Sequence, residues 1–200
     1  MLAGGRSERF GSDKAEFVFY GLTLLERVVT AVCAATKPVI VVGRSTSSDT
    51  DSGANYLPDR FPGEGPLGGI ITGLDELGEG RHLVCACDLP LLRIPLLRLL
   101  LEDCAGFEAA IPVAGGRLNP LCAAYDSASL PKLKASFDSG IRSVHGALSY
   151  LHVNRIAESK LRTADSELAS LININTPEDL RELLRGRATP RSAKGGGRIV

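Results

Sequence analysis

The stretch His82-Leu83-Val84-Cys85-Ala86-Cys87-Asp88-Leu89-Pro90 decides the reading of this chain. Its apolar run, His82–Cys87, is short and closed abruptly by Asp88 and Pro90, the pattern of a strand buried on both faces that delivers a carboxylate at its end. Upstream, Ile70, Ile71, Leu74 and Leu77 recur at helical spacing over Gly68–Leu77, and Gly78 and Gly80 stop that helix. Downstream, a helix resumes across Pro95–Cys104. Further back the same alternation repeats. Leu22, Leu25, Val29 and Val32 set a helix over Leu22–Cys33, and Pro38 introduces the β-branched run Val39-Ile40-Val41-Val42.

Helices alternating with buried strands predict an α/β fold: a mostly parallel central sheet, right-handed crossovers and helices on both faces. Such sheets bind ligands beyond the carboxyl ends of their strands. The loops of interest are therefore Gly4–Lys14, Asp59–Gly69 and Asp88–Pro90. The second half predicts strands at Ala109–Val113, Pro120–Tyr125 and Leu171–Ile174, and helices at Leu130–Phe137, Val144–Leu151 and Pro177–Leu184. Thr176 is placed to cap the last helix, with Pro177 at its first position. Ser45–Ala54 reads as an exposed loop. Residues 1–186 form one domain in this reading and residues 187–200 a disordered basic tail.

Composition agrees with a single folded unit. The chain has 200 residues, 44% hydrophobic and 23% charged, with 5% aromatics and no Trp. Net charge is zero, but residues 181–200 carry six Lys or Arg against one acid, which leaves residues 1–180 at −5. That balance argues against a nucleic-acid footprint, and no apolar stretch reaches the ~20 residues that span a bilayer. Five cysteines without C-x-x-C spacing suggest buried thiols in a reducing cytoplasm.

The segment Leu2-Ala3-Gly4-Gly5-Arg6-Ser7-Glu8-Arg9-Phe10-Gly11-Ser12-Asp13-Lys14 is the richest in chemistry. Its glycines allow backbone amides to point at phosphate oxygens, and Arg9 and Lys14 add charge that attracts a triphosphate. It matches neither G-x-x-x-x-G-K-[ST] nor G-x-G-x-x-G, and a solvated Gly-rich turn is the competing reading. Asp88 suits a Mg²⁺ ligand, since this ion takes one or two carboxylates plus substrate phosphates; the alternative is a turn with Pro90. Asp59 is either a hydrogen-bond acceptor for a base or ribose, or a turn former.

Taken in order, these pieces resemble the bacterial molybdenum cofactor guanylyltransferases, nucleotidyltransferases of Rossmann-like fold. The resemblance is carried by Leu2–Lys14, Gly65-Pro-Leu-Gly-Gly69, Cys87-Asp-Leu-Pro90, Pro120-Leu121 and Asn173-Ile-Asn-Thr-Pro-Glu-Asp-Leu180. It implies transfer of GMP from GTP to the terminal phosphate of molybdenum-bearing molybdopterin, with Mg²⁺ as cofactor and pyrophosphate released. Leu2, Ala3, Gly4 and Gly5 would contact the nucleotide. Arg9 would lie along the phosphates, Lys14 would neutralise the triphosphate, Asp59 would hold the nucleoside and Asp88 the metal. Asn173 and Asn175 match a motif on the pterin side of the cleft, and the Arg142-Ser143 step would touch the second substrate or, in the plainer reading, cap a helix. Transient contact with cofactor-biosynthesis proteins or recipient apoenzymes follows from the same resemblance.

Two alternatives stand beside it: a cytidylyltransferase or other nucleotidyltransferase of the same fold, and a non-catalytic nucleotide or pterin carrier. Relatives carry a buried strand before Leu-Ala-Gly-Gly, whereas only Met1 precedes Leu2 here. The first strand therefore reads as truncated, and the expectation is either a native polypeptide that begins several residues earlier or a destabilised chain.

Overall fold

The computed structural model describes residues 1–3, 14–44 and 53–185. Gly4, Gly5, Arg9 and the basic tail lie outside them. After a single 3₁₀ turn at Lys14–Glu16, the chain forms a two-stranded hairpin, β1 (Val18–Phe19) and β2 (Leu22–Thr23). Tyr20 and Gly21 turn it, both with positive φ (50° and 81°), as a tight two-residue hairpin requires. Helix α1 (Leu24–Ala35) follows, then β3 (Ile40–Val42), β4 (Asn55–Leu57), α2 (Pro66–Leu77), β5 (Arg81–Cys85) and α3 (Ile94–Asp103). The second half runs β6 (Ala109–Ala114), β7 (Arg117–Leu118), β8 (Cys122–Asp126), α4 (Leu130–Asp138), α5 (Val144–Leu148), β9 (Val153–Ile156), α6 (Glu158–Ala164) and α7 (Pro177–Leu184).

Local chemistry sets the helix ends. Thr23 caps α1 reciprocally: its hydroxyl accepts from Glu26 N at 3.1 Å while the Glu26 carboxylate accepts from Thr23 N at 2.7 Å. The β2 strand and this cap hold Leu22 and Thr23 out of the helix that apolar spacing alone would start at Leu22. Thr176 and Asp179 form the same box at α7, where the sequence places the cap.

Met1–Ala3 supplies the centre of the sheet. Leu2 bridges Val42 and Ala86 in parallel, and β3 pairs β4 in parallel. On the other side β5 pairs β8 antiparallel, β8 pairs β6 antiparallel, and β6 pairs β9 in parallel. The order across the sheet is therefore β4, β3, Leu2, β5, β8, β6, β9. It is mostly parallel, as expected, with β8 inserted in the opposite sense. Leu57, Val42, Leu2 and Ala86 stand in one row, so the loops after β4, β3, residue 3 and β5 all leave the sheet at one edge.

The period-two pattern sorts each central strand between two layers. Leu83, Cys85, Cys122, Ala124, Ala110 and Ile156 face α1, α3 and α6, against Val28, Leu96, Leu97, Leu100 and Leu161. Val84, Ala123, Tyr125, Ala109 and Ile111 face α2, α4 and α5, against Leu67, Ile70, Ile71, Leu133 and Phe137. Truncating any one of the fully buried leucines to alanine costs about 2–5 kcal/mol. Tyr125 is buried with its hydroxyl donating to Pro120 O at 3.0 Å, and burial pushes its phenol far above the usual range. Cys85, Cys104 and Cys122 are buried thiols, and burial raises Cys104 to about 11.

One expected strand is absent. Leu171–Ile174 does not join the sheet; Ala169–Leu171 is a 3₁₀ turn and the chain continues without regular structure. Its apolar residues are buried by packing instead: Leu171 enters the α1/α3 layer and Ile174 packs with Phe19 and Leu24. The helix expected over Val144–Leu151 stops at Leu148. Strands β1, β2, β4, β7 and β9 and helix α6 are not expected from the sequence; each is short, with too few residues to establish a period.

Candidate active site

The carboxyl edge of the parallel strands gathers the residues singled out from sequence. Asp88, two residues beyond the Leu2–Ala86 bridge, accepts a hydrogen bond from Lys14 Nζ at 3.0 Å on Oδ2 and from Asn173 Nδ2 at 3.1 Å on Oδ1. Lys14 Nζ also donates to Asn175 Oδ1 at 2.8 Å. The intervening Ile174 N donates to Asp88 O at 2.9 Å. Two asparagine side chains thus close around one ion pair, a cluster drawn from three distant segments, and the paired side chains are only 12% (Lys14) and 19% (Asp88) exposed. An ion pair this shielded from water loses much of its hydration, so the amide partners that complete its hydrogen bonding are needed to hold it.

Leu2 and Ala3 lie beside this cluster with their amides engaged in the sheet. Leu2 N donates to Cys85 O (2.9 Å), Ala3 N to Val42 O (2.9 Å), and Cys87 N to Leu2 O (3.0 Å). Backbone donors for a ligand must therefore come from beyond Ala3. The Cys87–Leu2 bond also fixes Asp88 next to the point where the glycine-rich segment departs.

Asp59 forms the opposite wall. Its Oδ1 accepts from Phe61 N at 3.0 Å and from the Thr72 hydroxyl at 3.1 Å. Its neighbour Arg60 pairs with Asp75 on α2, which Lys134 also holds at 2.6 Å. The first turns of α2 close against this loop because they carry glycine. A Cβ on Gly68 would come within 2.8 Å of Phe61 Cβ, and one on Gly69 within 2.9 Å of Leu2 Cδ2 and 3.7 Å of Asp59 Oδ2. Gly69 is thus the hinge of contact between Leu2 and Asp59.

The structure brings Leu2, Ala3, Lys14, Asp59, Asp88, Asn173 and Asn175 to one edge. Arg142 is elsewhere engaged: its guanidinium stacks 3.9 Å over the Phe137 ring and pairs with Glu64 in the loop before α2. Ser143 caps α5 through Gly146 N, the plainer of its two readings. Sequence reasoning missed the grip of Phe61 and Thr72 on Asp59, for which no local signal exists. It also missed that the two asparagines reach Lys14 and Asp88. No described helix is long and apolar enough to cross a membrane.

Comparison with known proteins agrees with this geometry. Residues 1–153 match the MobA-like NTP transferase domain. A Chloroflexus aggregans protein named "Probable molybdenum cofactor guanylyltransferase" is 35% identical over 187 residues, covering 90% of both chains. A Desulfosudis oleivorans molybdenum cofactor guanylyltransferase is 30% identical and covers 91% of both. Among solved structures, molybdopterin-guanine dinucleotide biosynthesis protein A of Archaeoglobus fulgidus superposes with a TM-score of 0.80 at 31% identity, covering 92% of this chain and 97% of that one. A Thermus thermophilus 2-C-methyl-D-erythritol 4-phosphate cytidylyltransferase, at 19% identity and a TM-score of 0.67 over 92% and 96% of the two chains, shares the fold. With its sheet edge, its ion pair and these relatives in agreement, the chain belongs to the MobA-like NTP transferase family and is a nucleotidyltransferase.

Proposed function

We propose that this enzyme transfers GMP from GTP to the terminal phosphate of molybdopterin, bearing molybdenum or not, in the cytoplasm. A terminal phosphate oxygen of the acceptor attacks the α-phosphorus of GTP, the bond from that phosphorus to the β-phosphate bridging oxygen breaks, and pyrophosphate leaves. No covalent enzyme intermediate is needed, so the protein acts by aligning two phosphates in line and placing positive charge over them.

The observation that carries the reading is the Lys14–Asp88 pair at 3.0 Å on the carboxyl edge of the sheet. Lys14 would move its ammonium from Asp88 to the triphosphate, neutralising charge as pyrophosphate departs. Asp88 would hold Mg²⁺. The fit is chemical: a hard carboxylate that already holds a cation, at an edge where phosphate oxygens would complete the ion's shell. When bound, the ion neutralises charge on those oxygens as a Lewis acid. Asp59, with Oδ1 fixed by Phe61 and Thr72, presents its other oxygen to the nucleoside. Gly4, Gly5 and Arg9 would contribute phosphate contacts as the family resemblance implies.

The test is pyrophosphate release from GTP, CTP and ATP with and without molybdopterin. Release from GTP that depends on molybdopterin is expected. Preference for CTP, or turnover with no nucleotide while Mg²⁺·GTP still binds, would overturn the assignment.

A further inference from the structure

We infer that Asn173 and Asn175 are positioning residues for the nucleotide end of the site, acting through Asp88 and Lys14 rather than on the acceptor. This rests on the nucleotidyltransferase reading and deepens it, since it assigns the two asparagines to the nucleotide end of the site rather than to the pterin side.

The chemistry of their partners fixes the orientation of both amides. An ammonium only donates, so Asn175 must turn its carbonyl oxygen to Lys14; an ionised carboxylate only accepts, so Asn173 must turn its NH₂ to Asp88. Each asparagine therefore offers the one half of its amide that its partner can use. The spacing is equally specific. With Ile174 N on Asp88 O at 2.9 Å, the segment is pinned at its middle, and the side chains on either side reach the two members of one ion pair. Ile174 is fully buried with Phe19 and Leu24, close to the hairpin that follows Lys14, so the strap is anchored in the core below the site.

The backbone beyond is held independently of these amides. Asn175 N and Thr176 N both donate to the Asp179 carboxylate at 2.8 and 2.9 Å, and Asp179 N donates back to the Thr176 hydroxyl at 3.1 Å. Removing either asparagine side chain therefore leaves the α7 cap intact. Its consequence falls on the reach of Lys14 and the aim of Asp88: Asn175 keeps the ammonium beside Asp88 at the edge where phosphates arrive, and Asn173 holds Oδ1 so that the carboxylate keeps one orientation.

The experiment is calorimetric binding of Mg²⁺ and a non-hydrolysable GTP analogue, with no acceptor present, arranged as two double-mutant cycles. Asn175→Ala is combined with Lys14→Ala, and Asn173→Ala with Asp88→Ala. Each asparagine variant is expected to weaken the analogue about tenfold, the size of one hydrogen bond to a charged group. Neither is expected to weaken it further once its own partner is alanine, and the KM for molybdopterin should stay within about twofold of wild type. Where an alanine variant fails to give the wild-type circular dichroism spectrum, serine, too short to reach the same partner, takes its place in the cycle. Unchanged analogue affinity with a raised molybdopterin KM, or additive losses in both cycles, would overturn the inference and leave the transferase reading standing. Failure of the wild-type protein to bind the analogue would overturn both.

Discussion

The two walls of the cleft are built by different physics. The Asp59 wall is packed: Phe61, Leu2 and the glycine turn of α2 meet at distances that exclude even a methyl group, and Asp59 is held by a backbone amide and a buried hydroxyl. The Asp88 wall is electrostatic: one ammonium, one carboxylate and two amides hold each other across three segments. The packed wall suits a rigid, flat nucleoside, whose recognition depends on shape. In the proposed reaction the charged wall would meet the phosphates and a metal ion, whose arrival would exchange one set of ionic partners for another. Substitutions should accordingly weaken stability on the first wall and turnover on the second.

The largest departure is expected for Lys14→Ala and Asp88→Ala, which remove preorganised charge from the reacting phosphates. Each should lower kcat by on the order of 10²–10³ while the protein still folds, with some loss in the thermal unfolding midpoint because the partner charge is left shielded and unpaired. Steady-state kinetics and calorimetry would read this, and near-native turnover in either variant would contradict the assigned roles.

Gly69→Ala and Gly68→Ala should behave the other way. At Gly68 the new methyl group overlaps Phe61 Cβ, next to the backbone, which must shift at a cost of about 1–3 kcal/mol, whereas at Gly69 it meets the end of the flexible Leu2 side chain and costs less. A lower denaturant midpoint with GTP binding impaired more than kcat is expected; wild-type stability would show that the wall yields easily. Thr72→Val is a finer probe, keeping the volume but removing the hydroxyl that donates to Asp59 Oδ1 or Gly68 O and accepts from Arg60 N. Loss of about 1–3 kcal/mol and a raised KM for GTP should result, measured by urea unfolding and initial rates.

The smallest effect concerns Asp75, which braces the Asp59 loop through Arg60. Hydrogen bonds from Lys134 and then Arg60 hold its carboxyl below the usual carboxylate value. A lowered folded-state pKa contributes stability that is present above the unfolded pKa and lost as pH falls through the folded one. Asp75→Asn should therefore be slightly less stable than wild type at neutral pH and converge with it in strong acid. The side chain is partly exposed, at 27%, so salt should shrink the difference. A constant gap across the acid range would rule out the ion pairs as its cause.

Much of this was legible in the chain. Strand β5 declared itself because a short apolar run stopped by Asp and Pro satisfies few other structures, although it ends at Cys85 and leaves Cys87 and Asp88 in a turn; α2 did so because its apolar spacing is regular. Leu171–Ile174 misled because an apolar run reports burial, not pairing: Ile174 is buried against Phe19 without a ladder partner. The antiparallel sense of β8 was invisible too, since a strand buried on both faces has the same residue pattern in either direction. The two asparagines were recognisable as a motif, but their contacts with Lys14 and Asp88 were not, because nothing local links residues 161 positions apart.

By itself the sequence determined the layers and the kind of chemistry, since apolar periodicity and residue type act over a few neighbours along the chain. Tertiary structure decided which groups share the site. Whether Asn175 meets Lys14, whether Gly69 admits Leu2 beside Asp59, and which amides remain for a ligand all depend on contacts between segments far apart in sequence, set by how the whole sheet and its helices pack at once.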